Sequence, residues 1–192
     1  MTELQNQANN VTSATTKTYF ELTQNIDMGA TNILISGGRN YEFDGKGYTI
    51  SNYRSVTSIW GAGMGGLFGL ITNSTIKNLT VSNFTVQSNA DAGSLVGYTS
   101  GTCTIENCHA FNGDVIGKRV GIQMYDGREI VWVYAEPARI GGLVGCIGTN
   151  SKLIIRECSL GKNVTVRSYW ADTNTVSTTR NTRLDAGDLL GK

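Results

Sequence analysis

The chain has 192 residues and a formal net charge of +1, a length that fits one domain (1–192) with its own core. Gly, Thr, Asn and Ser supply 78 residues, Pro occurs once and charged residues make up 16%, which is poor material for a helical bundle. The 40% apolar content and near-zero charge exclude a disordered chain, no run of about 18 apolar residues offers a membrane span, and nothing in the charge points to nucleic acid. Composition therefore predicts a turn-rich all-β protein.

The opening stretch MTELQNQANN has no basic run followed by an apolar one, so no signal peptide is read there. Thr2 and Gln5 fit a capping box, and Leu4, Ala8 and Val11 fall on one helical face. A short N-terminal capping helix over residues 1–14 is expected, hiding open strand edges at that end.

Next come two motifs that recur in the same order. TISNY (49–53), TIKNL (75–79), TIENC (104–108) and IIREC (154–158) form one series. GGLFG, AGSLVG, GGLVG and AGDLLG form the other, closing at Gly69, Gly97, Gly145 and Gly191 with spacings of 28, 48 and 46 residues. Superposition puts Ile50, Ile76, Ile105 and Ile155 at one site, and Tyr53, Leu79, Cys108 and Cys158 at another. The variable position between them reads Ser51, Lys77, Glu106, Arg156, an outward ladder of alternating sign.

In T-I-x-N-L the two apolar residues are three apart, so a straight strand would send them to opposite faces. A bend at Asn52, Asn78 or Asn107 turns both inward, since Asn tolerates the left-handed conformation. Units this small cannot bury their own apolar face and must stack. The expected fold is a right-handed parallel β-helix of about four coils.

Two longer periods carry insertions, 118–139 and 167–184, and a shorter excursion covers 55–64. In the first insertion Asp126-Gly127 between β-rich flanks predicts a β-hairpin. All three enter upstream of a Gly-Leu-x-Gly anchor, so one edge of the solenoid should carry them. They hold every tryptophan, Trp60, Trp132 and Trp170, together with Tyr125, Tyr134, Tyr169, Arg128 and Arg180. Aromatic and Arg side chains mark contact surfaces, so this edge is the expected partner-binding site. The competing expectation is that the rings fold back as a satellite core. No cap is visible after the fourth anchor, so another protein chain is expected to cover the C-terminal coil.

FDGKGYTISNY (43–53), followed by GGLFG, TIKNL, AGSLVG, TIENC and GGLVG, resembles the GLUG-motif repeat proteins, named for their Gly-Leu-x-Gly signature. The resemblance implies a β-helix carried on surface-exposed proteins, adhesin-like or viral, and no catalytic residues. Glu157 stands where that pattern has its bend asparagine.

Catalytic chemistry is not legible. His109 follows the inward Cys108 and should point outward, so the two side chains diverge. No stack of carboxylates lines one face, as glycan cleavage would need. The spacing of Cys103, Cys108, Cys146 and Cys158 lacks paired knuckles for zinc, and buried thiols are their simplest role, with disulfides open in an oxidising space. No metal or cofactor is implied. The expected function is a non-catalytic structural or interaction module. A virion or particle exterior component comes first, a bacterial adhesin-like module second, and a glycan-binding or glycan-cleaving β-helix third.

Overall fold

A computed structural model describes residues 16–35, 37–57, 63–125, 130–134, 139–171 and 186–187. The expected N-terminal helix, together with Trp60, Arg128, Arg180 and Gly191, lies outside them. Every regular element among the described residues is a strand. In chain order they are β1 (Thr18–Glu21), β2 (Ile26–Asp27), β3 (Tyr41–Asp44), β4 (Thr49–Ser51), β5 (Arg54–Val56), β6 (Phe68–Thr72), β7 (Thr75–Ser88) and β8 (Val96–Ser100). There follow β9 (Thr102–Tyr125), β10 (Ile130–Tyr134), β11 (Ile140–Gly141), β12 (Val144–Ile147), β13 (Lys152–Arg156), β14 (Ser159–Leu160), β15 (Val164–Ala171) and β16 (Ala186–Gly187). They form one sheet of eleven strands, one of three (β6, β8, β12) and one of two (β11, β16). All pairings are parallel except the antiparallel pair of β9 with β10.

The long sheet is built of residues stacked in register. Phe20 pairs with Phe43, Phe43 with Ile76, Ile76 with Ile105, and Ile105 with Ile155. Five layers thus share one apolar column, one layer more than the motifs predict. Its members from Phe43 to Ile105 are at most 1% exposed, and burying side chains of this size stabilises by about 1.5–3 kcal/mol each.

Two sequence assignments need correction. Ile50 does not join that column. It sits between Ile26 and Val81, in a second column that continues through Ala110 to Leu160. Tyr53 likewise stacks on Phe84, with ring centroids 5.6 Å apart and planes at 22°, while Leu79 is the residue paired with Cys108. The outward ladder shifts with them. Asp44, not Ser51, precedes Lys77, Glu106 and Arg156, and Ser51 pairs with Ser82. The reason is that each layer bends twice, and both bends use the same local code. Asn78 and Asn107 make the first bend at φ 52° and 49°, and Asn52, Asn83 and Asn112 make the second at 56°, 51° and 55°. TISNY belongs beside TVSNF (80–84), not beside TIKNL.

Eight of the eleven non-glycine residues with positive φ among those described are asparagines. Their amides also stack. Asn78 Nδ2 donates to Asp44 Oδ1 at 3.0 Å, Asn107 Nδ2 to Asn78 Oδ1 at 2.9 Å, and Asn163 Nδ2 to Asn112 Oδ1 at 3.1 Å. Glu157 adopts φ 52°, so the fourth bend forms even without its asparagine, at the steric cost a larger side chain carries in that conformation.

The three-stranded sheet holds the glycine anchors. Pairs Phe68–Val96 and Leu70–Tyr98 set Gly69 beside Gly97, and Val144–Val96 and Cys146–Tyr98 set Gly145 on the other side. A Cβ on Gly97 would stand 2.7 Å from the Gly69 carbonyl oxygen, and one on Gly145 would stand 2.5 Å from the Ala92 nitrogen. Neighbouring backbone fills the space, which is why glycine recurs here. Leu67, Leu95 and Leu143, just before these anchors, are fully buried.

Candidate functional site

The insertions leave the long sheet at one place. β5 ends beside Gln87, Ser88 pairs with Gly117, and Gly117 pairs with Ser168. Beyond this column β9 runs on to Tyr125 and returns as β10, with Ile130 paired to Tyr125 and Tyr134 to Gly121. Before that stretch β15 follows β9 in parallel as far as Ala171, opposite Val120. Beyond Gly117 the two pairings, β15 with β9 and β9 with β10, form a ribbon that carries the insertions.

Register places the expected aromatic residues along these strands. Trp132 pairs with Gln123, Tyr134 with Gly121, Tyr125 with Ile130, Tyr169 with Lys118, and Trp170 with Arg119. Five of the eight residues expected at the contact edge therefore lie on β9, β10 and β15.

At the base of the ribbon the chain re-enters the sheets through Arg139. Its guanidinium holds the Asp91 carboxylate by two bonds, Nε to Oδ1 at 2.7 Å and Nη2 to Oδ2 at 2.9 Å. Asp91 is 5% exposed, and the Arg139 carbonyl accepts from the Ala92 amide at 2.9 Å. The Asp91 hydrogen bond raises the Arg139 pKa. Motif reading passed over Asp91, because its partner is 48 residues away and only the fold joins them.

A second group, also not read from the sequence, lies on the outward face of the first layers. Glu42 accepts from Lys17 at 2.7 Å and pairs with Lys77 at 2.6 Å; Lys46 reaches Glu21 at 3.2 Å and Asp44 at 3.7 Å. Glu21, Glu42, Asp44, Lys46 and Lys77, with Tyr19, 69% exposed, line a cleft of about 300 Å³. The Lys17 hydrogen bond, then that of Lys77, holds the Glu42 carboxyl below its usual range. Burial pushes Asp44 up, but the Asn78 amide, the Lys46 N–H and the two lysines outweigh it and the net shift is downward. A second cleft of about 490 Å³ runs along the other bend, past Asp27, Asn52, Arg54 and Asn83. There the Gly29 N–H and the Asn52 amide lower Asp27. His109, paired with Thr80 and Ser159, has its Nε2 3.1 Å from Asn107 Oδ1 and its Nδ1 2.9 Å from Ser159 Oγ.

The family profile described as "The GLUG motif" matches residues 88–116, the stretch from the end of β7 through the second anchor to the second bend of β9. The resemblance read from the Gly-Leu-x-Gly anchors thus holds. Halomucin of Haloquadratum walsbyi is 37% identical over 127 residues, covering 56% of this chain. The match spans about 1% of the length of halomucin. Among solved structures, a Bacteroides ovatus protein described as a "putative immunoglobulin A1 protease" aligns over 98% of this chain and 81% of its own, at 17% identity and a TM-score of 0.40, too distant to carry an argument.

Proposed function

We propose that this GLUG-motif chain is a non-catalytic, adhesin-like surface module, built as a right-handed parallel β-helix, that presents its aromatic ribbon to a partner. The observation that carries this reading is the five-layer register of Phe20, Phe43, Ile76, Ile105 and Ile155, from which the ribbon projects as one continuous extension. Stacked layers resist bending, and insertions gathered at one side of a repeat array commonly form its binding face. Right-handedness follows from the preference of parallel crossovers.

A surface role is favoured by the GLUG motif together with the halomucin match. Nothing in either match favours a virion component, so the surface module takes precedence over it. The non-catalytic reading draws on the state of the carboxylates. Glu42 and Asp44 are both ion-paired with lysines and held below their usual range, the reverse of the raised value a general acid needs. A protein partner suits the ribbon better than a lone sugar, because aromatic residues recur along three paired strands, β9, β10 and β15.

Antibody raised against the full chain, applied to intact source cells, tests the location. Labelling before permeabilisation is expected, and labelling only afterwards overturns the reading. Turnover of any polysaccharide by the purified chain overturns the non-catalytic claim. Binding to intact cells should fall at least tenfold in the double variant Trp132→Ala, Trp170→Ala.

A further inference from the structure

The four cysteines differ in their surroundings. Cys103 pairs in register with Leu153, and Cys146 pairs with Tyr98. Cys108 and Cys158 meet each other: Ser159 pairs with His109, which sets the preceding residues side by side on adjacent parallel strands. In-register partners there lie about 4.8 Å apart, within the roughly 4.4–6.8 Å between Cα atoms that a disulfide spans. Both residues follow a left-handed bend, Asn107 and Glu157, so both side chains are turned the same way. The two are free thiols in the structure; Cys108 Sγ donates to the Ile76 carbonyl at 3.7 Å and Cys158 Sγ to the Ile105 carbonyl at 3.5 Å. Cys108 is 1% exposed, whereas Cys158 is half-buried.

We propose that Cys108 and Cys158 are a disulfide-forming pair that staples the last two layers of the long sheet together when the chain meets a low-molecular-weight disulfide. The order of events follows from access. Cys158 Sγ, as thiolate, attacks one sulfur of the external disulfide R–S–S–R. That S–S bond breaks and one R–S⁻ leaves and takes up a proton. Cys108 then loses its proton to water and attacks the Cys158 sulfur of the mixed disulfide, and the second R–S⁻ departs. The two protein thiols lose two electrons in total, and the external disulfide gains them as two thiols.

Electrostatics support the same order. The neighbouring Cys108 thiol holds the Cys158 thiol below its ordinary value, while contact with Cys158 and burial push Cys108 up. Thiolate is the reactive form, so the accessible sulfur is also the activated one. The pair sits where a staple matters. Ile155, Leu160, Val164 and Val166 of the last layer are half-buried, whereas Ile105, Ala110 and Val115 beneath them are at most 1% exposed.

The test uses the full chain, reduced and then exposed to oxidised glutathione, with mass spectrometry under native conditions. Trypsin releases residues 157–162 carrying Cys158 and residues 78–118 carrying Cys103 and Cys108; cleavage after Glu106 separates the last two. The expected product joins 157–162 to 107–118, with Cys103 and Cys146 still open to alkylation after unfolding. Because 50 residues separate the pair in sequence, the oxidised chain should melt about 10 °C higher than the reduced one. Cys108→Ser should stop at the glutathione adduct on Cys158, and Cys158→Ser should leave Cys108 unmodified. A bond through Cys103 or Cys146, or no cross-link at excess glutathione disulfide in the unmutated chain, overturns the proposal.

Discussion

The fourth bend offers a sharp test of the stacking argument, through Glu157→Asn. Glu157 is exposed and held at φ 52°, a conformation that costs an ordinary side chain roughly 1–2 kcal/mol and asparagine less. The layers beneath show what an asparagine would gain, since Asn107 Nδ2 donates to Asn78 Oδ1 at 2.9 Å and Asn78 Nδ2 to the Asp44 carboxylate at 3.0 Å. Asn107 Oδ1 already faces His109 Nε2, but a carbonyl oxygen can accept twice. A net hydrogen bond contributes about 0.5–1.5 kcal/mol, with exposure favouring the low end. Together the two terms predict stabilisation by about 1 kcal/mol, or a melting midpoint about 2–4 °C higher. Urea titration should give a higher midpoint with an unchanged slope. Glu157→Ala removes the carboxylate without easing the backbone and should stabilise little. Glu157→Gly eases the backbone but adds no rung and should fall between. If Glu157→Asn matches Glu157→Ala, the bend asparagines do not act as argued.

Other consequences follow from the columns. Gly113 lies against the Phe84 ring, where a Cβ would stand 2.5 Å from Cδ2, so Gly113→Ala should cost about 1–3 kcal/mol in a chemical melt; Phe84→Leu should absorb part of that cost in a double-mutant cycle. Gly145→Ala meets backbone atoms of Ala92 and Gly97 at 2.5 and 2.6 Å, which cannot rotate away, and should cost about 3 kcal/mol or more. Glu42 has a folded pKa depressed chiefly by its Lys17 hydrogen bond. Its contribution is therefore present above the unfolded value of 4.5 and is lost as pH falls from there through the depressed value. Plotted against pH, the melting midpoint of Glu42→Gln should show a shallower acid limb.

Much of this was legible in the residues themselves. Asparagine and glycine at fixed spacing specify bends and close backbone contacts wherever they occur, because only these residues accept a left-handed φ or a missing Cβ cheaply. Composition and period therefore determined an all-β chain of parallel layers, and the β-rich runs on either side of residues 126–129 determined the antiparallel pair of β9 with β10. What the tertiary structure decided was register. Two bends per layer share one local code, so TISNY fits either bend by itself; the stacking of Tyr53 on Phe84 and the seating of Ile50 on Val81 choose between them. The first layer, with Phe20 under Phe43, has no Gly-Leu-x-Gly anchor to announce it. The ion pairs of Glu42 and Asp91, and the meeting of Cys108 with Cys158, join residues 25 to 50 apart. Such contacts arise only after the layers have stacked, since a local motif sets how the chain turns and only neighbouring layers set what each turn faces.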